Sequence, residues 1–101
     1  MNESLATMLE VNRASIELNR FAGEFLARTV IGAVSSLKGA EDIRQLQLLL
    51  EHGDISIAVN GNEVPLTPFP EEIIINTITG LISSLKGVDK IDSLKIDVKT
   101  K

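Results

Sequence analysis

The sequence predicts a two-layer α+β domain, with two helices covering one face of a four-stranded, mainly antiparallel sheet in the order α-β-β-β-α-β. Three observations carry that expectation. The stretch "TVIGAVSSLKG" at 29–39 returns as "TITGLISSLKG" at 77–87, 48 positions later. The segment 45–66 alternates apolar and polar residues with period two, the period of a half-buried strand. Within it, His52-Gly53 and Asn60-Gly61 carry the chemistry of tight turns.

The first helix is expected to hold 21–37, using Phe25, Leu26, Val30, Ala33, Val34 and Leu37 as its apolar stripe. No proline marks its start. It is therefore expected to run back through a helical extension at 1–20 toward a cap at Ser4, with Met8, Val11, Leu18, Phe21 and Phe25 forming a thinner stripe. Such a helix would be ~50 Å long at 1.5 Å per residue, more than one small domain can cover. Its overhang is expected to be buried in contacts with a second copy.

Three strands follow. A turn at His52-Gly53 sets Leu50 against Ile55, Leu48 against Ile57 and Leu46 against Val59, and a turn at Asn60-Gly61 sets Ile57 against Val64 and Ile55 against Leu66. Both turns place all these apolar residues on one face, so two separate assignments agree on one register. The second helix opens with Pro70, Glu71 and Glu72, residues suited to a first turn where N–H groups are free and the dipole is positive. Ile74, Ile78, Leu81 and Leu85 form its stripe, and Lys86-Gly87 suits its end. The last strand, "SLKIDVK", buries Leu94, Ile96 and Val98. Residues 1–101 thus read as one domain: repeat unit one at 21–50, hairpin strands at 51–68 and repeat unit two at 69–101. An approximate internal twofold would lay the strands at 44–50 and 93–99 side by side and antiparallel.

Composition narrows the function classes. The chain has 101 residues, 44% of them hydrophobic and 24% charged, the balance of one folded domain. Its formal charge of −4 offers no pull toward phosphate backbones or anionic lipid, and its three aromatic residues are all Phe, so nucleic acid and membrane are not expected partners. There is no cysteine, which removes disulfides, thiolate metal sites and cysteine nucleophiles and fits a cytoplasmic location.

The candidate chemical residues each have a plainer role. His52 is the sole histidine and sits in a predicted turn between Glu51 and Asp54, where a solvated turn residue is the ordinary outcome. Glu71 and Glu72 are adjacent on a helix and point about 100° apart, so capping explains them better than paired acid-base work. Ser35-Ser36 and Ser83-Ser84 lack a nucleophile elbow. Gly39 and Gly87 follow their lysines at the end of a helix, the wrong dipole end for a phosphate. No catalytic residue, metal site or cofactor is therefore expected.

The small residues say more. Gly32 with Ser36, and Gly80 with Ser84, strip bulk from one helix flank at the same place in both copies. An interior glycine costs about 1 kcal/mol against alanine, so helix-on-helix contact is expected there, within the chain or across a dimer. The expected interface set is Met8, Val11, Leu18, Phe21, Phe25, Gly32, Ser36, Ile75, Gly80 and Ser84.

The string N-G-x-x-(V/I)-P-L-x-P-F is held by Asn60, Gly61, Val64, Pro65, Leu66, Pro68 and Phe69; an apolar helix ending in Ser83 to Val88 and a short strand follow. Residues 55–98 in this pattern resemble a small domain found as a C-terminal extension on some prokaryotic molybdopterin-guanine dinucleotide biosynthesis proteins. The resemblance implies an accessory module near molybdenum cofactor assembly and brings no catalytic residue with it, since that family's nucleotide chemistry belongs to a P-loop domain.

Three readings follow. The leading one is a non-enzymatic interaction or assembly module that forms a homodimer through its helices, with another protein as a further candidate partner. The alternative is a small-ligand domain that binds a nucleotide or pterin near Phe69 and the Asn60 turn. The third is a small enzyme using His52 with Glu51 or Asp54.

Overall fold

The computed structural model describes residues 5–37, 40, 42–85, 88 and 90–100. Among them are β1 (Leu5–Val11), β2 (Ala14–Ile16), α1 (Arg20–Ser35), β3 (Gln45–Glu51), β4 (Asp54–Val59), β5 (Asn62–Glu63), α2 (Pro68–Ile82) and β6 (Ser93–Thr100). All pairings are antiparallel, in the order β2-β1-β6-β3-β4-β5. The expected four-stranded sheet and the order α-β-β-β-α-β are therefore wrong: the sheet has six strands, and the first described elements are strands.

The error lies in residues 5–16. Met8, Val11 and Leu18 fit a helical spacing, but Leu5, Thr7, Leu9 and Val11 also alternate with Ala6, Met8 and Glu10 at period two. Turn chemistry decides between the two periods. Asn12 and Arg13 hold φ at 52° and 70°, left-handed values that end a helix and close a two-residue hairpin between β1 and β2. Among the described residues no helical extension precedes α1. Instead Asn19 caps it, its side chain accepting a 2.7 Å hydrogen bond from the Ala22 N–H. Ser4 and the expected helix-ending residues Gly39 and Gly87 lie outside the described residues.

The predicted pairs Leu46 with Val59, Leu48 with Ile57 and Leu50 with Ile55 are all present. The next hairpin is shorter than expected. Val64 donates its N–H to Ile57 at 2.8 Å, but the strand ends before Pro65, which has no N–H to continue the ladder, and Leu66 does not pair with Ile55.

The duplication is larger than a helix, loop and strand. Shifted by 48, β1, β2, α1 and β3 fall on β4, β5, α2 and β6, so each half is a β-β-α-β unit. In the central pair β3–β6, Leu48 stands opposite Ile96, its own counterpart in the repeat, and the internal twofold passes between them. Each unit's hairpin pairs with the other unit's last strand, β1 with β6 and β4 with β3.

A matched polar clamp fastens each exchange. Asn60 Oδ1 accepts from the Arg44 and Gln45 N–H groups at 2.8 and 2.9 Å, and its Nδ2 donates to the Asp42 carbonyl at 2.9 Å. Asn12 Oδ1 accepts from Asp92 and Ser93 at 2.7 and 2.9 Å, and its Nδ2 donates to the Lys90 carbonyl at 2.7 Å. Every partner of one is 48 residues from the partner of the other.

Both helices lie on one face of the sheet, giving a molecule 36 × 34 × 18 Å in extent, thin enough for two layers. The core joins Leu9, Leu46, Leu48, Ile57, Ile96 and Val98 of the sheet to Leu26, Val30, Val34, Ile74, Ile78 and Ile82 of the helices. Val11, expected in an interface, is 5% exposed and belongs to this core. Among the described residues no helix is long and apolar enough to cross a membrane.

Candidate functional site

The sheet offers little to a partner at its edges. The edge strands β2 and β5 have only three and two residues, a length that blunts strand-to-strand association. Its open face mixes signs, with Glu10 opposite Lys95 and Lys95 opposite Leu49, so no single-sign field forms there.

The outer face of the helix layer is different. In α1, Phe21, Phe25, Arg28, Gly32 and Ser36 recur at spacings of three and four and all are exposed, opposite the buried Leu26, Val30 and Val34. In α2, Phe69, Ile73, Asn76, Gly80 and Ser84 repeat that row at the same positions. Phe21 is 73% exposed, Phe25 48%, Phe69 71% and Ile73 47%, so four large apolar side chains stand in solvent at twofold-related places. The Phe21 and Phe25 rings are 5.7 Å apart and support each other.

Beside them runs an apolar groove of about 210 Å³, lined by Phe21, Ala22, Phe25 and Leu26 from the start of α1 and Leu81, Ile82, Ser84 and Leu85 from the end of α2. The start of one helix therefore lies beside the end of the other, and the two run in opposite directions.

The expected interface residues divide. Phe21, Phe25, Gly32, Ser36, Gly80 and Ser84 are brought together on this face. Met8 is 66% exposed but lies on the opposite, open face of the sheet, because it follows the pleat between the inward Thr7 and Leu9. Leu18 and Ile75 are half-buried against the core. Ile75 faces an open hollow of about 510 Å³ with Gly53, Pro68, Phe69, Glu71 and Glu72. Phe69 and Ile73 were absent from the expected set, although they stand 48 positions after Phe21 and Phe25.

The glycines do not serve contacts inside the chain. A Cβ added at Gly32 or Gly80 would meet nothing within 4 Å, which overturns the intrachain half of that expectation. The hydroxyls of Ser36 and Ser84 fold back onto the carbonyls of Gly32 and Gly80 at 3.3 and 3.2 Å, leaving this end of each row small and weakly polar.

His52 is an exposed turn residue with φ at 50°, flanked by exposed Glu51 and Asp54. Among the described residues, no three His, Cys, Asp or Glu side chains are placed to share a metal ion. Glu71 lies in the first turn of α2, where the helix dipole favours it.

Comparison of the chain with protein-family models, curated proteins and solved structures finds no match.

Proposed function

We propose that this chain is a non-enzymatic interaction or assembly module of the cytoplasm that associates with itself through the outer face of its helix layer. The observation that carries the reading is the set Phe21, Phe25, Phe69 and Ile73, exposed at twofold-related positions. They stand in two pairs, Phe21 with Phe25 at the start of α1 and Phe69 with Ile73 at the start of α2, at opposite ends of the helix layer. At roughly 200 Å² per large side chain, each pair exposes about 240 Å² and the four together about 480 Å². The resemblance of 55–98 to an extension domain gives a setting: an accessory role beside molybdenum cofactor assembly.

Static light scattering over a dilution series tests this reading. A mass that falls toward one chain on dilution is the expected result; a single-chain mass at every concentration would refute it.

Small-ligand binding is a second reading, favoured by the hollow of about 510 Å³ at Phe69. Asn60 does not line that hollow, so the ligand would sit nearer the Gly53 turn than the sequence indicated. A thermal-shift screen against nucleotides and pterins tests it, with no shift for any compound as the negative result.

A further inference from the structure

Asn12 and Asn60 make the same clamp, but Asn60 precedes Gly61 whereas Asn12 precedes Arg13. That difference is chemical. The carboxamide carbon of an asparagine can be attacked by the main-chain nitrogen of the next residue, closing a five-membered ring, and the bulk of that residue's side chain hinders the approach. Gly61 has no side chain and is exposed, and among the described residues its N–H has no main-chain acceptor. We infer that Asn60 is a deamidation site held shut by its own clamp, and that Arg13 keeps Asn12 from being a second one. The step balances with water as its sole co-reactant. Gly61 nitrogen bonds to Asn60 Cγ and loses its proton, Cγ releases Nδ2 as ammonia, and water opens the succinimide at either carbonyl. The products are aspartyl and isoaspartyl chains, and nothing is oxidised or reduced.

The clamp acts on the first bond. Asn60 Oδ1 is held by the Arg44 and Gln45 N–H groups at 2.8 and 2.9 Å, and Nδ2 by the Asp42 carbonyl at 2.9 Å, so the carboxamide is tied to the segment entering β3. Ring closure needs Cγ brought onto the Gly61 nitrogen, and swinging the carboxamide there breaks all three bonds. The two N–H groups polarise the Oδ1 carbonyl as attack requires, but they do so only while the carboxamide is turned to them. Reaction therefore proceeds through the clamp-open fraction, which three hydrogen bonds partly recovered by water hold to about one part in thirty. Deamidation then undoes the clamp for good. The aspartyl product has no donor for the Asp42 carbonyl and sets a carboxylate oxygen against it. The isoaspartyl product also adds a methylene to the main chain of the two-residue turn that sets β4 against β5. Either product loosens unit two's hairpin from unit one's last strand and leaves the Asn12 clamp intact.

Arg13→Gly tests both parts of the inference. It gives Asn12 the Val-Asn-Gly setting that Asn60 already has, and glycine suits the φ of 70° that Arg13 holds. The unaltered chain and Arg13→Gly are incubated at mildly alkaline pH, folded and in concentrated urea. Chromatography and mass spectrometry of the peptides spanning Asn12 and Asn60 then resolve the aspartyl and isoaspartyl forms. In urea the unaltered chain should deamidate many times faster at Asn60 than at Asn12, and folding should slow Asn60 by about thirtyfold. Arg13→Gly should bring Asn12 to within about threefold of Asn60 in both states. Equal rates at Asn60 in the folded and urea-unfolded chain would overturn the gate. An Asn12 that reacts as fast as Asn60 in the unaltered chain, or that does not accelerate in Arg13→Gly in urea, would overturn the choice of site. The urea arms do not depend on folding of the variant, and the gate is read on the unaltered chain alone.

Discussion

Asn12 and Asn60 perform one task at two sites, so the internal twofold predicts equal consequences for removing either. Each side chain makes three hydrogen bonds, at 2.7–2.9 Å, to the segment leading into the other unit's last strand. Both hold φ at 52°, where alanine would add about 1 kcal/mol or more of left-handed strain. Asn12→Gly and Asn60→Gly keep that backbone and delete the clamp alone. A net hydrogen bond contributes about 1 kcal/mol, and water recovers part of that at exposed groups, so three bonds give a loss of about 2 kcal/mol per variant. In a domain of this size that lowers Tm by roughly 10 °C. Urea unfolding followed by far-ultraviolet circular dichroism, at one fixed protein concentration, reads the shift in midpoint at unchanged slope. The twofold requires the two losses to agree within about 0.5 kcal/mol. A loss of about 2 kcal/mol in one variant and under about 0.5 kcal/mol in the other would refute the equivalence of the two halves.

Ile96→Ala removes a fully buried side chain at the twofold axis and is expected to destabilise by about 2–5 kcal/mol, with Leu48→Ala opposite it in the same range, measured by the same unfolding assay. Gly32→Ala and Gly80→Ala meet no atom within the chain, so in dilute, single-chain samples each should stabilise by about 0.5–1 kcal/mol; in concentrated samples each should weaken association, as sedimentation would show. A circular permutant opened between His52 and Gly53, with Lys99 joined to Ala6 by a copied His-Gly turn, should keep the native circular dichroism spectrum, because those strands already pair in the register that the His52-Gly53 turn closes. Loss of that spectrum would contradict the equivalence of the β4–β3 and β1–β6 pairings.

The parts of the fold that could be read from the residues were those where period and turn chemistry agreed. β3 and β4 alternate cleanly around His52-Gly53, and Asn60-Gly61 announces the next hairpin with the pair of residues that best tolerates positive φ. β1 and β2 escaped because their turn has Arg13 where its counterpart has Gly61, and because Met8, Val11 and Leu18 also satisfy a helical spacing. The signal was nevertheless present. Extending the shift of 48 upstream lays Leu9 on Ile57, Val11 on Val59, Asn12 on Asn60 and Leu18 on Leu66.

The candidate surface was half legible for a related reason. The two glycines were found from their recurrence 48 positions apart, whereas Phe21 and Phe25 were reached through the stripe of a long first helix whose extension is in fact β1 and β2. Phe69 and Ile73 were missed because an apolar residue near a helix start reads equally well as core, and only the packing shows which arc of α2 faces the sheet. The register of Val11 in β1, which carries it into the core, followed from the same missed hairpin.

The central claim is that the outer helix face joins two copies of the chain. Sedimentation equilibrium of the unaltered chain beside Phe21→Glu/Phe69→Glu tests it most directly, because both side chains are more than 70% exposed and their loss leaves the core intact. The account predicts twice the chain mass for the unaltered protein at micromolar concentration, and the single-chain mass for the double variant with an unchanged circular dichroism spectrum. A double variant that still sediments as a dimer, or an unaltered chain that never exceeds one chain mass, would contradict it.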